Sequence, residues 1–515
     1  MSTYLAIDIG TSSAKAALYE ADGHLVAGQS AGYPLQRLKP NWCEQDPDAW
    51  WRATQTVCQA VLRQAGHPSI RAVCVSGQSP GCVPVDRKGQ PLRPAILWLD
   101  RRATAQAQWL GEHLGQAEAE RLSGNRLDSY FGGPKWLWFR RNEPELYSRT
   151  AMIHQASSFI TFQLTGEIAL DLSQAGMCSP CFNLSERCWD ERVCELMGLD
   201  VRVLPRLAPS TATVGQVTQT ASALTGVPAG TPVICGGGDF ACACLGAGVI
   251  ERGTAAMMLG TAGNLLIPAP QRTDPRLINT IHVTGDGLSL GGVMAGGAVR
   301  WFGEMLRIDV PDLFTLLDAE AAQTPPGADG LVFLPYLMGE RTPIWDPLAR
   351  GVFLGLSASH RRGHLFRAVL EGVAFAYRQM MDIVAEGGSP INGIIAVNGG
   401  ARSALWRQIL ADVLDVPIRW RPASGGTATG CAYLAAVGVG DSDGFGAIER
   451  WLEPTLDLYP NQANGEVYAR HYDVFREVYG KLKGTFAQLN RDHSVGTDIN
   501  SYCGSQSKLG ADTGA

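Results

Sequence analysis

The chain lacks any long hydrophobic run. No window reaches the roughly 18 uninterrupted apolar residues of a membrane-crossing helix, and the opening MSTYLAIDIG has neither the basic start nor the apolar stretch of a secretory signal. A membrane partner is therefore not expected, and the protein is expected to be cytoplasmic. Charge is also sparse and nearly balanced. Charged residues make up 18%, and 43 Lys and Arg against 49 Asp and Glu leave a net charge of -6, which argues against a nucleic-acid partner. No G-x-G-x-x-G follows the first apolar segment, and no acid stands at the proper distance beyond it, which disfavours a dinucleotide dehydrogenase. Histidine is scarce, at nine residues. His360 and His364 have metal-pair spacing, but arginines and Gly363 separate them, so neither is given a ligand role. Thirteen cysteines are an odd number spread over the chain, and Cys74 and Cys235 sit in strand-like apolar runs, so reduced thiols are expected. Cys178, Cys181, Cys188 and Cys194 are clustered, yet the second pair has five residues between its members and no histidine is near. Packing is favoured over zinc.

What remains is a chain rich in core-forming residues. Hydrophobic residues are 45% of 515, enough for two to four domains at roughly 150 residues each. Tyr4–Ile9 and Ala14–Tyr19 read as alternating strands joined by a Gly, Thr and Ser turn. Asp46-Pro47 supplies a cap and first-turn proline for a helix to Gly66, with Trp50, Ala53, Val57, Val61 and Leu62 on one face. The strand IRAVCVSGQ follows. Near Thr231 a second cycle begins: TPVICGGGD is a buried strand, and AAMMLGTAGNLLIP repeats the strand, turn, strand form of the start. HLFRAVLEGVAFAYRQMMDIVAE and SALWRQILADVLD are helical by period, with GIIAVNGG and PIRWRP as strands between and after them. The pattern is α/β with two domains. Residues 490–515 turn polar and read as a disordered tail.

Three kinds of segment could carry chemistry. Asp8 ends a strand and is followed by Gly10, Thr11, Ser12 and Ser13, a turn whose N–H groups and hydroxyls suit phosphate while the acid suits magnesium through water. An ordinary hairpin is the competing reading for this turn alone. Gly260-Thr261 repeats it, and a pair of such hairpins suits a clamp on a nucleotide tail. Asp239, after three glycines and before a run of helix-forming small residues, is placed to accept a proton at a helix N-terminus, unless it serves only as an N-cap. Gly399, Gly400 and Ala401 at one strand-to-helix junction, and Gly425-Gly426 at another, suit a flat ring slipping between backbones, although such turns are also common packing devices. For the tryptophans, packing outweighs sugar stacking.

On these residues and two further segments the chain resembles the FGGY carbohydrate kinases of the actin, Hsp70 and hexokinase superfamily, in particular their xylulokinase-like group. Gly351-Val352-Phe353-Leu354-Gly355-Leu356, then His364-Leu365 and Ala368-Val369-Leu370-Glu371, matches the longer family signature, and FGGPKWLWF at 131–139, with Lys135, matches the other. Segments 41–51, 94–102, 333–347 and 398–414 are similar as well. The resemblance spans about residues 4–485. It implies two ribonuclease-H-like α/β domains with an interdomain cleft, divided as 1–248 for the sugar and the catalytic base and 249–489 for the nucleotide. It implies ATP-dependent phosphorylation of a sugar or polyol hydroxyl, with ATP and Mg²⁺ as cofactors and Asp239 as base. Asp8 would organise the metal, Gly10 to Ser13 with Gly260 and Thr261 the phosphates, and Gly399, Gly400 and Ala401 the adenine.

The substrate end departs from the xylulokinase pattern. Where that group usually reads Gly-Gln-Met-His-Gly, the chain has Gly77-Gln78-Ser79-Pro80-Gly81, and proline has no donor to offer a sugar hydroxyl. Phe240 stands where an asparagine usually follows the base. Gln78, Ser79, Asp239 and Phe240 are the expected substrate residues, and D-xylulose is disfavoured within the ketose and polyol class. Gluconate, ribulose or a quorum-signal polyol are the rival substrates. A non-catalytic nucleotide- or sugar-binding module is the rival from outside enzymology, and Asp239 argues against it. The assembly is left open, with a homodimer as one option.

Overall fold

A computed structural model describes residues 2–270, 273–308, 310, 312–422 and 426–489. The segment expected to be a disordered tail, and Gly425, lie outside the described residues. The chain divides into two compact units that are not consecutive in sequence. The first runs from the N-terminus to Arg252 and takes in Leu266–Ser289 and Ala423–Pro454; the second comprises Gly253–Leu265, Leu290–Pro422 and the segment from Thr455 on. The expected division at residues 248 and 249 treats each half as one stretch of chain. No helix among the described residues is long and apolar enough to cross a membrane.

The first unit is built on a six-stranded mixed sheet. Its strands are β1 (Thr3–Ile9), β2 (Ser13–Glu20), β3 (Leu25–Gly32), β4 (Ile70–Gly77), β5 (Thr213–Gln216) and β6 (Pro232–Gly238), in the order β5-β6-β4-β1-β2-β3. β1, β4 and β6 are parallel, and β1-β2-β3 form an antiparallel meander. β1 is buried along its whole length, as the near-continuous apolar run of a strand covered on both faces requires. Helix Pro47–Gln64 connects β3 to β4. Asp46 caps it by accepting the Asp48 N–H at 3.0 Å, Pro47 opens it, and Trp50, Ala53, Val57, Val61 and Leu62 are buried as the period requires. They join Leu5, Ile7, Leu18 and Phe159 in one core.

The second unit contains β7 (Thr254–Leu259), β8 (Gly263–Ala269, its start), β9 (Gly393–Val397), β10 (Ile418–Trp420) and β11 (Leu456–Leu458). β7, β9 and β10 are parallel, and β11 closes the edge antiparallel to β10. The 25-residue helix Arg362–Glu386 buries Phe366, Val373, Phe375 and Tyr377, and helix Ala404–Leu414 buries Trp406 and Ile409. Every cysteine among the described residues is free, and all but Cys188 are buried. Cys178, Cys181 and Cys194 lie in the apolar core around Trp136 and Phe139.

Candidate active site

Three parallel strands of the first unit end side by side. Ile9 of β1 and Gly238 of β6 are each opposite Gly77 of β4. The residues that follow these pairs are Gly10, Gln78 and Asp239, so the register brings Asp8, Gln78 and Asp239 to one rim, at the carboxyl ends where open α/β sheets bind ligands.

Asp8 is buried, and its Oδ1 accepts a hydrogen bond from Ser76 Oγ at 2.9 Å. Across the β1-β2 hairpin it faces Lys15, which is exposed. Burial raises the Asp8 carboxyl above its ordinary value, against the pull of Lys15 and Ser76. Asp239 is the first residue of helix Asp239–Gly246 and is half-buried. Burial, and then the charge of Asp8, push its carboxyl up to about 7, although the Phe240 N–H at 2.7 Å and Lys15 favour the ionised form. The cap position belongs to Gly238 and not to Asp239. Gly238 in turn donates its N–H to Ser173 Oγ at 2.9 Å, and Ser173 Oγ donates to buried Asp171. The glycine ridge that presents Asp239 is thereby pinned from below.

The Gly10 to Ser13 turn is closed by the Gly10 N–H on Ser13 O at 3.1 Å. Four side chains brace it. Tyr33 OH (2.5 Å) and Gln78 Nε2 (3.3 Å) donate to Gly10 O, Gln45 Nε2 to Thr11 O (2.6 Å), and Trp98 Nε1 to Thr11 Oγ1 (3.0 Å). Ser12 stays exposed. Ser79 is buried, and its Oγ has no hydrogen-bond partner. Phe240 is buried with its ring against Gly238, where an added Cβ would meet Cε1 at 2.6 Å.

In the second unit, β7 and β9 run parallel with Met258 opposite Val397, which sets the Gly260-Thr261 turn beside the Asn398 to Ala401 turn. Gly260 O accepts the Gly296 N–H at 2.8 Å and Thr261 O the Gly297 N–H at 3.0 Å. A Cβ on Gly296 would stand 2.6 Å from Gly260 O, so only glycine permits this approach. A Cβ on Gly400 would meet Leu259 O at 2.8 Å, whereas one on Gly399 would meet nothing within 4 Å. Gly400 is thus a packing residue, and Gly399 faces open space. Ala401 is buried.

The comparison with known families decides what these two arrangements belong to. The model of the FGGY family of carbohydrate kinases, N-terminal domain, matches residues 3–246, and that of the C-terminal domain matches residues 255–439. The chain belongs to the FGGY family of carbohydrate kinases. It is 30% identical over 492 residues to a xylulose kinase of Bacillus subtilis, covering 94% of this chain and 98% of that one. It is 28% identical over 506 residues to a gluconokinase of the same organism, covering 95% and 98%. The solved structure of a xylulose kinase from Rhodospirillum rubrum superposes with a TM-score of 0.88 at 32% identity, covering 94% of this chain and all of that one. This FGGY kinase accordingly has the fold of the actin, Hsp70 and hexokinase superfamily and carries out ATP-dependent phosphorylation of a sugar.

The family signatures themselves map to the scaffold. Lys135 is fully buried with Nζ donating to Ser129 O (2.7 Å), to Tyr130 O and to Phe131 O (3.5 Å), and burial lowers it to about 7. Glu371 is buried, paired with Arg367 at 2.8 Å, and accepts from Tyr468 OH and the Gly327 N–H at 3.0 Å each. Sequence reasoning missed Gln45, Tyr33, Ser76 and Ser173, and gave Trp50 a packing role without its hydrogen bond to Gln45. Gln45 lies within segment 41–51, which gave a resemblance but no role for it; nothing local marks the other three.

Proposed function

We propose that Asp239 is the general base that accepts the proton of a ketose or polyol hydroxyl as that oxygen takes the γ-phosphoryl group of ATP. The observation that carries the reading is the Asp8 and Asp239 pair on one rim, with the second carboxyl raised to about 7, where a base is matched to neutral pH. The hydroxyl oxygen bonds to phosphorus, the bond from phosphorus to the β,γ-bridging oxygen breaks, and the hydroxyl proton ends on Asp239. In the first unit, Gly10, Thr11, Ser12 and Ser13 are assigned to phosphate, held in place beforehand by Tyr33, Gln45, Gln78 and Trp98. In the second, Gly260, Thr261, Gly399, Gly400 and Ala401 are assigned to the nucleotide, with Ala401 and Gly400 shaping the wall and Gly399 its open side.

Two acids whose like charges repel each other fit a divalent cation, and Asp8 is the residue that would hold Mg²⁺, through water. Among the described residues no three His, Cys, Asp or Glu side chains enclose a metal position, which suits an ion held chiefly by phosphates. When bound, Mg²⁺ supplies neutralisation of phosphate charge.

Gln78, Ser79, Asp239 and Phe240 are assigned to the acceptor end. Relatives are named for xylulose and for gluconate, but Ser79-Pro80 cannot reproduce a histidine donor, so a ketose or polyol other than D-xylulose is the proposed acceptor. Coupled ADP release against a panel of pentuloses, hexuloses, polyols and aldonates tests this. A neutral polyhydroxy compound should give the highest kcat/KM, with D-xylulose roughly 5- to 150-fold below it, the range for one buried hydrogen bond lost. D-xylulose as the best substrate, or no sugar-dependent ADP release, would refute it.

A further inference from the structure

Gln78 is buried to all but 4% and stands on the rim between the Gly10 turn and Asp239. Its side chain is one end of a chain of hydrogen bonds whose direction is fixed from the far end. The Trp50 indole N–H can only donate, and it lies 3.0 Å from Gln45 Oε1. Thr11 O can only accept, and it lies 2.6 Å from Gln45 Nε2. Both ends of the Gln45 amide are therefore determined. Gln45 Oε1 then takes a second donor, Gln78 Nε2 at 2.9 Å, which also reaches Gly10 O at 3.3 Å. The Gln78 amide is thus oriented by two acceptors, and its Oε1 is left buried without a partner. An acceptor stranded in this way costs free energy until a donor arrives.

We propose that Gln78 Oε1 accepts a hydrogen bond from a hydroxyl of the bound sugar or polyol, and that Trp50 and Gln45 are positioning residues that set its polarity. The inference rests on the reading of this rim as the acceptor end. It adds a rule for the substrate: at this point the ligand presents a donor. A neutral polyhydroxy compound satisfies the rule, whereas an aldonate carboxylate brought to the same point sets acceptor against acceptor. The rim at Gln78 thereby discriminates by polarity where size would not. Phosphate oxygens, also acceptors only, are turned away from Gln78 toward the Gly10 turn.

The test is Gln78→Met, which keeps the length of the side chain and removes its polar atoms. Gly10 O retains the Tyr33 donor, so KM for ATP should stay within about threefold. KM for the best neutral substrate should rise about tenfold, the scale of one buried hydrogen bond, and the ratio of its kcat/KM to that of gluconate should fall by a similar factor. Trp50→Phe, which removes one of the two contacts that fix the Gln45 amide and leaves only Thr11 O to hold it, should shift the same ratio in the same direction by a smaller factor, with folding checked by thermal unfolding. An unchanged ratio in Gln78→Met, or a change confined to KM for ATP, would overturn the inference. If in the same assays Asp239→Asn still slows turnover by about 10²-fold or more, the reading of Asp239 as the base stands and only the role of Gln78 falls.

Discussion

At the residue scale, Asp239 is held between opposing influences. The N-terminus of its helix, the Phe240 N–H and Lys15 favour the carboxylate, while burial and the charge of Asp8 favour the acid, and the outcome is about 7. As a base it works only ionised, so kcat/KM should climb with pH through an apparent pKa near 7. Asp8→Asn removes a charge that raises Asp239, so the rising limb of its residual activity should move to lower pH; a limb that stays in place would show that Asp8 does not reach the base. The same shift bears on stability. A carboxyl bound to its proton more tightly in the folded state than in the unfolded one stabilises at low pH, and that contribution is lost as pH rises from about 4 through 7.

At the element scale, the position of Asp239 depends on a helix crossing where glycines lie directly against backbone. In the first unit, helix Asp239–Gly246 packs on helix Thr427–Gly438. A Cβ on Gly246 would stand 1.9 Å from Gly426 O, and one on Gly430 would stand 1.9 Å from Cys242 O. Both obstacles are backbone and cannot turn aside. Gly430→Ala should therefore separate the helices, lower stability by roughly 1 to 3 kcal/mol and reduce kcat more than it raises either KM, as thermal unfolding and steady-state kinetics would record. A second element depends on buried charge. Arg102 bridges Glu44 at 2.6 Å and Asp100 at 2.7 Å beneath Trp42, its guanidinium 3.6 Å from the ring centre, and so fixes the strand that carries Gln45. Arg102→Met leaves the buried Asp100 carboxylate without its cation, while Glu44 keeps Arg93, and should cost about 3 to 5 kcal/mol in denaturant unfolding.

Such contacts mark the limit of what the sequence alone discloses. The strands, the Asp46-Pro47 helix start and the glycine turns were legible because each depends on neighbours within a few positions. The chain from Trp50 through Gln45 to Gln78 was not, since its last link spans 33 residues and needs the register of three strands. Asp239 was legible as an acid after glycines, but not its support by Ser173 and Asp171, whose segment has no distinctive spacing. The signatures gave the family correctly while their charged residues, Lys135 and Glu371, turned out to be buried in the scaffold.

At the scale of the whole molecule, the first unit gathers three separate stretches of chain, and buried polar groups lie where they meet. His282, on the Leu266–Ser289 stretch, is buried and lowered to about 4 by burial. Its folded value lies below the ordinary 6.5, so the stability it confers is present above that pH and is lost as pH falls from 6.5 toward 4. His282→Asn keeps an acceptor for the Thr284 N–H, now 3.1 Å from Nδ1, and should lose less melting temperature between pH 7 and pH 5 than the parent; an equal loss would contradict the assignment. All of this scaffolding serves one chemical step, and Asp239→Asn addresses that step most directly. With the best substrate of the panel, the variant should bind ATP with nearly unchanged affinity and release ADP about 10² to 10⁴-fold more slowly than the parent. Turnover at a tenth or more of the parent rate would contradict the account, because the proton would then have another acceptor.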